Sequence, residues 1–184
     1  MHHPQYIIFN GQRYDLRHLF RMKHTFTLRC GTEVPTGIVF SNHCYTEPHA
    51  DGEPEEGHTV LHDHYGNKRI FCPIRHSYTL DARQWIAGWT SQVCYLSKDR
   101  KHSGENWLIV EDKDGMPIKV AFSAQQSNQE ENGLFIRVKT IHPYDKSKPP
   151  PSDAPNMPFT ALAHSLAVKG VKPKPPKSRN KRRR

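Results

Sequence analysis

The feature that most constrains this chain is a run of period-two alternation between Glu105 and Tyr144. Ile118, Val120 and Phe122 occupy one alternating set, with Lys119 and Ala121 on the other. Leu134, Ile136 and Val138 repeat the pattern opposite Phe135, Arg137 and Lys139. Successive side chains of a strand point to opposite faces, so both runs predict strands with one aliphatic face and one carrying cations and an aromatic ring. Ahead of them, Trp107-Leu108-Ile109-Val110 is apolar on both sets and predicts a strand buried on both sides. Asp112-Lys113-Asp114-Gly115 joins the first two strands, because Asp-Gly tolerates the positive φ of a hairpin turn. A polar loop from Ser123 to Gly133 joins the last two. A sheet sided in this way needs a core behind it and suits a phosphate-rich ligand in front.

The rest of the chain is organised around that meander. Tyr6 to Phe9, Asn10-Gly11 and Gln12 to Leu16 read as a hairpin, and Thr25 to Arg29 and Gly37 to Ser41 as strands. Ile70-Phe71-Cys72 reads as a short strand stopped by Pro73, and Glu47 to Glu56 as a solvated acidic insertion. Asp81-Ala82-Arg83-Gln84 resembles a capping box, and Trp85, Ile86, Trp89 and Val93 form an apolar stripe, so a helix over 81–93 is expected to cover the sheet. Eight of the fifteen prolines lie between Pro149 and Pro176, which excludes long regular structure there. Phe159, Leu162 and Leu166 nevertheless stand at helical spacing. They mark a short helix docked on the body or on a partner, or else a loosely held apolar segment. The fold class expected is α+β: a single domain over residues 1–146, its antiparallel sheet packed on one main helix. A Pro-rich linker, the short helix and a disordered basic tail follow over 147–184.

The charge is unevenly placed. Nine of the 27 Lys and Arg residues fall between Lys169 and Arg184, where there is no acid, so the rest of the chain balances 18 acidic residues and the formal +9 belongs to the tail. Lys177, Arg179, Lys181, Arg182, Arg183 and Arg184 therefore predict association with RNA or DNA by counterion release. No segment has transmembrane length and the first residues do not resemble a signal peptide, so the expected setting is cytoplasmic, with no membrane partner. Cys30, Cys44, Cys72 and Cys94 are widely spaced and are expected to be reduced and mostly buried.

Two chemistries compete for the histidines, of which there are thirteen. His58, His62 and His64, with His43-Cys44 and Cys72-x-x-x-His76, contain ligands that zinc accepts, but their spacing matches no standard finger and solvated or structural histidines are the stronger reading. The other chemistry needs no metal or cofactor. RNA carries its own nucleophile in the 2′-hydroxyl, so cleavage requires a base, an acid and cations around the phosphate. His102, in a polar loop before the central strand, and His142, just past the last strand, are the candidate proton carriers. Lys119, Arg137 and Lys139 are the candidate phosphate binders, and Ser123 and Ser127 would orient the phosphate. The plain alternative is a face kept cationic for solubility. Cys44 next to His43 is a poor thiol nucleophile, because adjacent residues of a strand point to opposite sides.

Phe40-Ser41-Asn42-His43-Cys44-Tyr45-Thr46, Val93-Cys94-Tyr95 and the order of segments from Asn106 to Thr140 resemble an uncharacterised family of small bacterial and mobile-element proteins. More distantly, one helix followed by a meander with Ser- and Lys-bearing closing strands, from Thr79 to Tyr144, is similar to the RelE, barnase and colicin-type ribonuclease superfamily. That resemblance implies a metal-independent endoribonuclease of toxin or defence type, commonly held by an antitoxin partner. Two departures stand out: a hairpin-rich half precedes the helix, and the loop from Ser123 to Asn132 lacks basic residues. The competing expectation is a non-catalytic nucleic-acid-binding or protein-interaction adaptor, with or without a supporting zinc ion, in which the tail carries the affinity.

Overall fold

Asn10 and Gly11 take φ values of 49° and 74°, the twist that a two-residue hairpin loop requires, and close strand β1 (Tyr6–Phe9) on β2 (Gln12–Asp15). The computed structural model that contains this hairpin describes residues 3–49, 59–96, 105–147, 155–171 and 173. β3 (Met22–Thr27) and β4 (Glu33–Phe40) follow. β5 (Thr46–Pro48), β6 (Val60–His62) and β7 (Lys68–Phe71) make a three-stranded sheet with β7 in the middle. Pro73 ends β7 and opens helix α1 (Pro73–Ser77), a position where its missing N–H costs nothing. Next come α2 (Ala82–Ala87), a 3-10 turn at Trp89–Ser91, and β8 (Val93–Leu96). The meander consists of β9 (Glu105–Glu111), β10 (Pro117–Gln126) and β11 (Leu134–Pro143). β12 (Asn156–Pro158) and α3 (Phe159–Ala167) complete the described elements.

The large sheet has seven strands in the order β12-β8-β9-β10-β11-β4-β3. Its neighbours are antiparallel except β11 and β4, which run parallel through Leu134↔Thr36 to Val138↔Phe40. The protein is thus of the expected α+β class, mostly sheet with few helices.

One face of this sheet is the core. Leu108, Ile118, Phe122, Ile136, Val138 and Ile38 have no exposed surface, and Trp89 and Phe159 close over Phe122 with ring centroids 5.0 and 6.3 Å away. Three local expectations give way to tertiary packing. The helix expected over 81–93 stops at Ala87, because Val93 is claimed by pairing with Pro158 and points outward, 44% exposed. Asp81 makes no side-chain cap; Trp85, Ile86 and Trp89 are still the residues that bury. β9 is not buried on both sides: Leu108 and Val110 are covered, Trp107 and Ile109 only half so. The longest described helix is instead α3, whose Phe159, Leu162, Ala163 and Leu166 enter the same core as the meander. Residues beyond 146 therefore contribute a strand and a helix to the folded body, since a nine-residue amphipathic helix gains its stability from such burial and little from propensity.

Candidate functional site

The opposite face of the large sheet collects most of the residues singled out from the sequence, and a bulge decides which ones. Ala121 pairs with Thr140 but Phe122 pairs with Val138, so Lys139 is an extra residue in β11. Arg137 and His142 are five positions apart and strict alternation would put them on opposite faces. The inserted residue restores parity: Arg137 lies opposite Ser123 and His142 opposite Lys119, all on the face away from the core. Ser123 thus belongs to β10 and His142 to β11, where the sequence placed one in a loop and the other past the strand; long-range pairing extends both strands.

Aromatic rings run across this face. Tyr95 pairs with Trp107 across β8 and β9, and their rings stack at 4.2 Å between centroids and 16° between planes. Tyr144 continues the stack on Trp107 at 6.5 Å and 26°. Lys119 Nζ sits 4.7 Å from the centre of the Trp107 ring, a cation–π contact. Trp107, Tyr95, Tyr144, Lys119, Lys139 and His142 are all half-buried and Arg137 is exposed. The cations differ in their partners. Lys139 donates to Glu105 Oε2 at 3.1 Å, whereas Arg137 and Lys119 meet no carboxylate among the described residues. Burial, then the charges of Lys119 and Arg75, lower the pKa of His142, so its imidazole is neutral near pH 7.

At the other end of the same face is a cleft of about 460 Å³ floored by Phe135 and Gly37 and walled by Arg21, Lys23 and the loop around Ser127 to Glu130. Arg21 donates to Gln129 Oε1 at 2.8 Å and Lys23 to Glu130 Oε1 at 3.2 Å. Ser127 Oγ accepts the Gln129 backbone N–H, so its hydroxyl shapes this loop.

Of the two proposed proton carriers, His142 is on the face and His102 lies outside the described residues. The tail residues Lys177, Arg179, Lys181, Arg182, Arg183 and Arg184 also lie outside them, as do His58 and most of the acidic insertion. Among the described residues no three His, Cys, Asp or Glu side chains converge as a metal site. His43 is explained locally: its Nε2 is 3.2 Å from Asp63 Oδ2. Burial opposes charge on Asp63, but hydrogen bonds from Asn67, the Tyr65 N–H and His43 outweigh it and hold the carboxyl well below the usual range. Cys44 and Cys94 are buried and their thiols pushed up to about 12 by that burial, which leaves no thiolate at Cys44 for a nucleophile. Cys72 is half-buried and Cys30 exposed, so two of the four thiols occupy the core, and all are unbridged.

Sequence reasoning missed Tyr95 and Tyr144 as partners of Trp107, because stacking depends on cross-strand register that no local pattern encodes. It also missed Arg75 on α1, whose charge acts on His142 while its guanidinium donates to the His43 carbonyl at 3.3 Å.

No helix among the described residues is long and apolar enough to cross a membrane. No curated protein and no solved structure matches the chain, and nothing links it to the ribonuclease superfamily. A family model, described as the YjaZ family, matches residues 6–167. Those limits coincide with the first residue of β1 and the last of α3, so the matched unit is the whole sheet with its covering helix. On that match the chain belongs to the YjaZ family.

Proposed function

We propose that this protein binds single-stranded nucleic acid on the half-exposed face of its seven-stranded sheet. The observation that carries the reading is the stack of Tyr95, Trp107 and Tyr144 with Lys119 held over the central ring. Bases stack on such aromatic surfaces without regard to sequence, and neighbouring cations track the backbone. Arg137, exposed on the same face and without a carboxylate partner among the described residues, supplies one such cation; the basic tail adds salt-sensitive affinity. Fluorescence anisotropy with a labelled single-stranded RNA tests it. At about 0.3 M salt, where counterion release by the tail is weakened, Trp107→Ala is expected to lower affinity about tenfold. Equal affinity of the variant and the natural chain under those conditions rules the face out.

Metal-independent endoribonuclease activity is a second reading of the same face, favoured by one feature: the neutral His142 imidazole makes no hydrogen bond among the described residues and can take a proton. Lys119 beside it would hold the phosphate; His142 would take the 2′-hydroxyl proton as the oxygen attacks phosphorus, giving a 2′,3′-cyclic phosphate and expelling the 5′-oxygen of the next nucleotide, which water protonates. Total RNA incubated in EDTA should then be cut by the natural chain and left intact by His142→Gln; intact RNA with both leaves binding alone.

A further inference from the structure

At one end of the aromatic face Lys119 and His142 lie side by side, and the charge of Arg75 acts on His142. Lys119 and His142 are direct cross-strand neighbours on the same face of β10 and β11. Such neighbours have Cβ atoms about 5 Å apart, where like charges oppose each other. Arg75 comes from a different part of the chain, on α1, and its guanidinium is anchored on the His43 carbonyl while its charge acts on His142. All three are half-buried. Lys139, Lys23 and Arg17 each have a carboxylate at hydrogen-bond distance. Lys119 has only the Trp107 ring, Arg75 only a carbonyl, and His142 no hydrogen bond at all among the described residues.

Taking charged groups partly out of water without opposite charge is costly, and the Trp107 ring and the His43 carbonyl offset only part of that cost. An anion would offset the rest. Its required charge follows from a count: Arg75 and Lys119 are two positive charges, and His142 can add a third by taking up a proton. A phosphodiester brings one negative charge, whereas a phosphate monoester brings between one and a half and two near neutrality. Resting on the nucleic-acid reading of this face, we infer that Arg75, Lys119 and His142 form a subsite for the terminal phosphate monoester of a single-stranded nucleic acid, its end base lying beside the Tyr95–Trp107–Tyr144 stack. Arg75 supplies two directed N–H donors, Lys119 a mobile point charge, and His142 a donor once protonated. The monoester thus sits at one end of the strand's path, and Arg137 follows along β11 for the next phosphates.

The first test uses the natural full chain. NMR titration of the His142 ring, assigned with His142→Gln, is expected to show its pKa rise by about one unit in saturating inorganic phosphate, because an adjacent dianion favours the imidazolium. In parallel, trinucleotides ending in a 5′-phosphate, a 3′-phosphate or hydroxyls only are compared. One phosphorylated end is expected to bind about tenfold tighter than the hydroxyl form, the gain of one or two charge-assisted hydrogen bonds. Arg75→Met and Lys119→Met should each erase that preference. A His142 titration indifferent to phosphate overturns the subsite even if Trp107-dependent binding of longer RNA persists, which keeps the two readings separable. A phosphate response with no preference for phosphorylated ends overturns the assignment to nucleic-acid termini and leaves a site for a small oxyanion.

Discussion

The two faces of the seven-stranded sheet are made from the same strands, residue by alternate residue, yet they obey different rules. Beneath α3, Phe122, Ile136 and Val138 are sealed by Trp89 and Phe159 and contain no charge. On the other side the same strands present Trp107, Lys119 and His142 half-covered and Arg137 exposed. The difference teaches that stability and recognition are separable here by parity of position. A residue facing α3 answers to packing density; its neighbour answers to whatever lands on the rings.

The separation is broken most strongly at Phe122. Removing this fully buried ring by Phe122→Ala leaves a cavity under Trp89 and should cost about 3–5 kcal/mol in urea denaturation. A loss under about 1 kcal/mol would mean the core side is loosely packed. Acid offers the next largest effect, through His18, which lies behind the sheet with Nε2 2.7 Å from Thr79 Oγ1 and its ring 5.3 Å from His76. Burial first, and then the charge of His76, lower its pKa from 6.5 to about 4. The unfolded chain therefore takes up a proton that the folded one refuses, so this stability is whole above pH 6.5 and lost as pH falls toward 4. For a partly exposed ring the loss should be roughly 1–2 kcal/mol, seen as a falling midpoint in the natural chain and a flatter profile in His18→Gln.

Trp107→Ala sharpens the contrast from the other side. Its ring is half-exposed and stacked on Tyr95, so about 1 kcal/mol of stability is at stake against the tenfold loss of RNA affinity expected above. Thermal melting and anisotropy on the same sample separate the two. The smallest effect is reserved for Glu130→Ala at the cleft, where Lys23 and Glu130 form an exposed pair at 3.2 Å. Chemical denaturation should move by less than about 0.5 kcal/mol. A larger change would make the cleft loop a structural element of this face.

How much of this was legible depends on how far each feature reaches along the chain. The Asn10-Gly11 hairpin and the Asp112–Gly115 turn were readable because the conformation is dictated by the residues at the turn: Gly11 and Gly115 take φ of 74° and 75°, and Asp112 Oδ1 accepts from the Asp114 and Met116 N–H groups. The aliphatic rows of β10 and β11 were readable for the same local reason. The end of the helix after Asp81 was not, since Val93 has a partner more than sixty residues away in Pro158. The helical spacing of Phe159, Leu162 and Leu166 was readable too, but whether the body, a partner or nothing covered them was decided by a core that only the assembled sheet provides.

For the candidate site the division is the same. Sequence by itself determined that one face would be cationic with aromatic rings, because alternation fixes what each side of a strand carries. Only the tertiary structure decided that Lys139 is a bulge residue, that His142 therefore joins Arg137's side, and that the charge of Arg75 on α1 acts on His142. Parity along a strand is a property of consecutive residues. Where parity is broken, and what comes to lie beside it, is set by pairing between segments far apart in the chain, and that information is not held in any one of them.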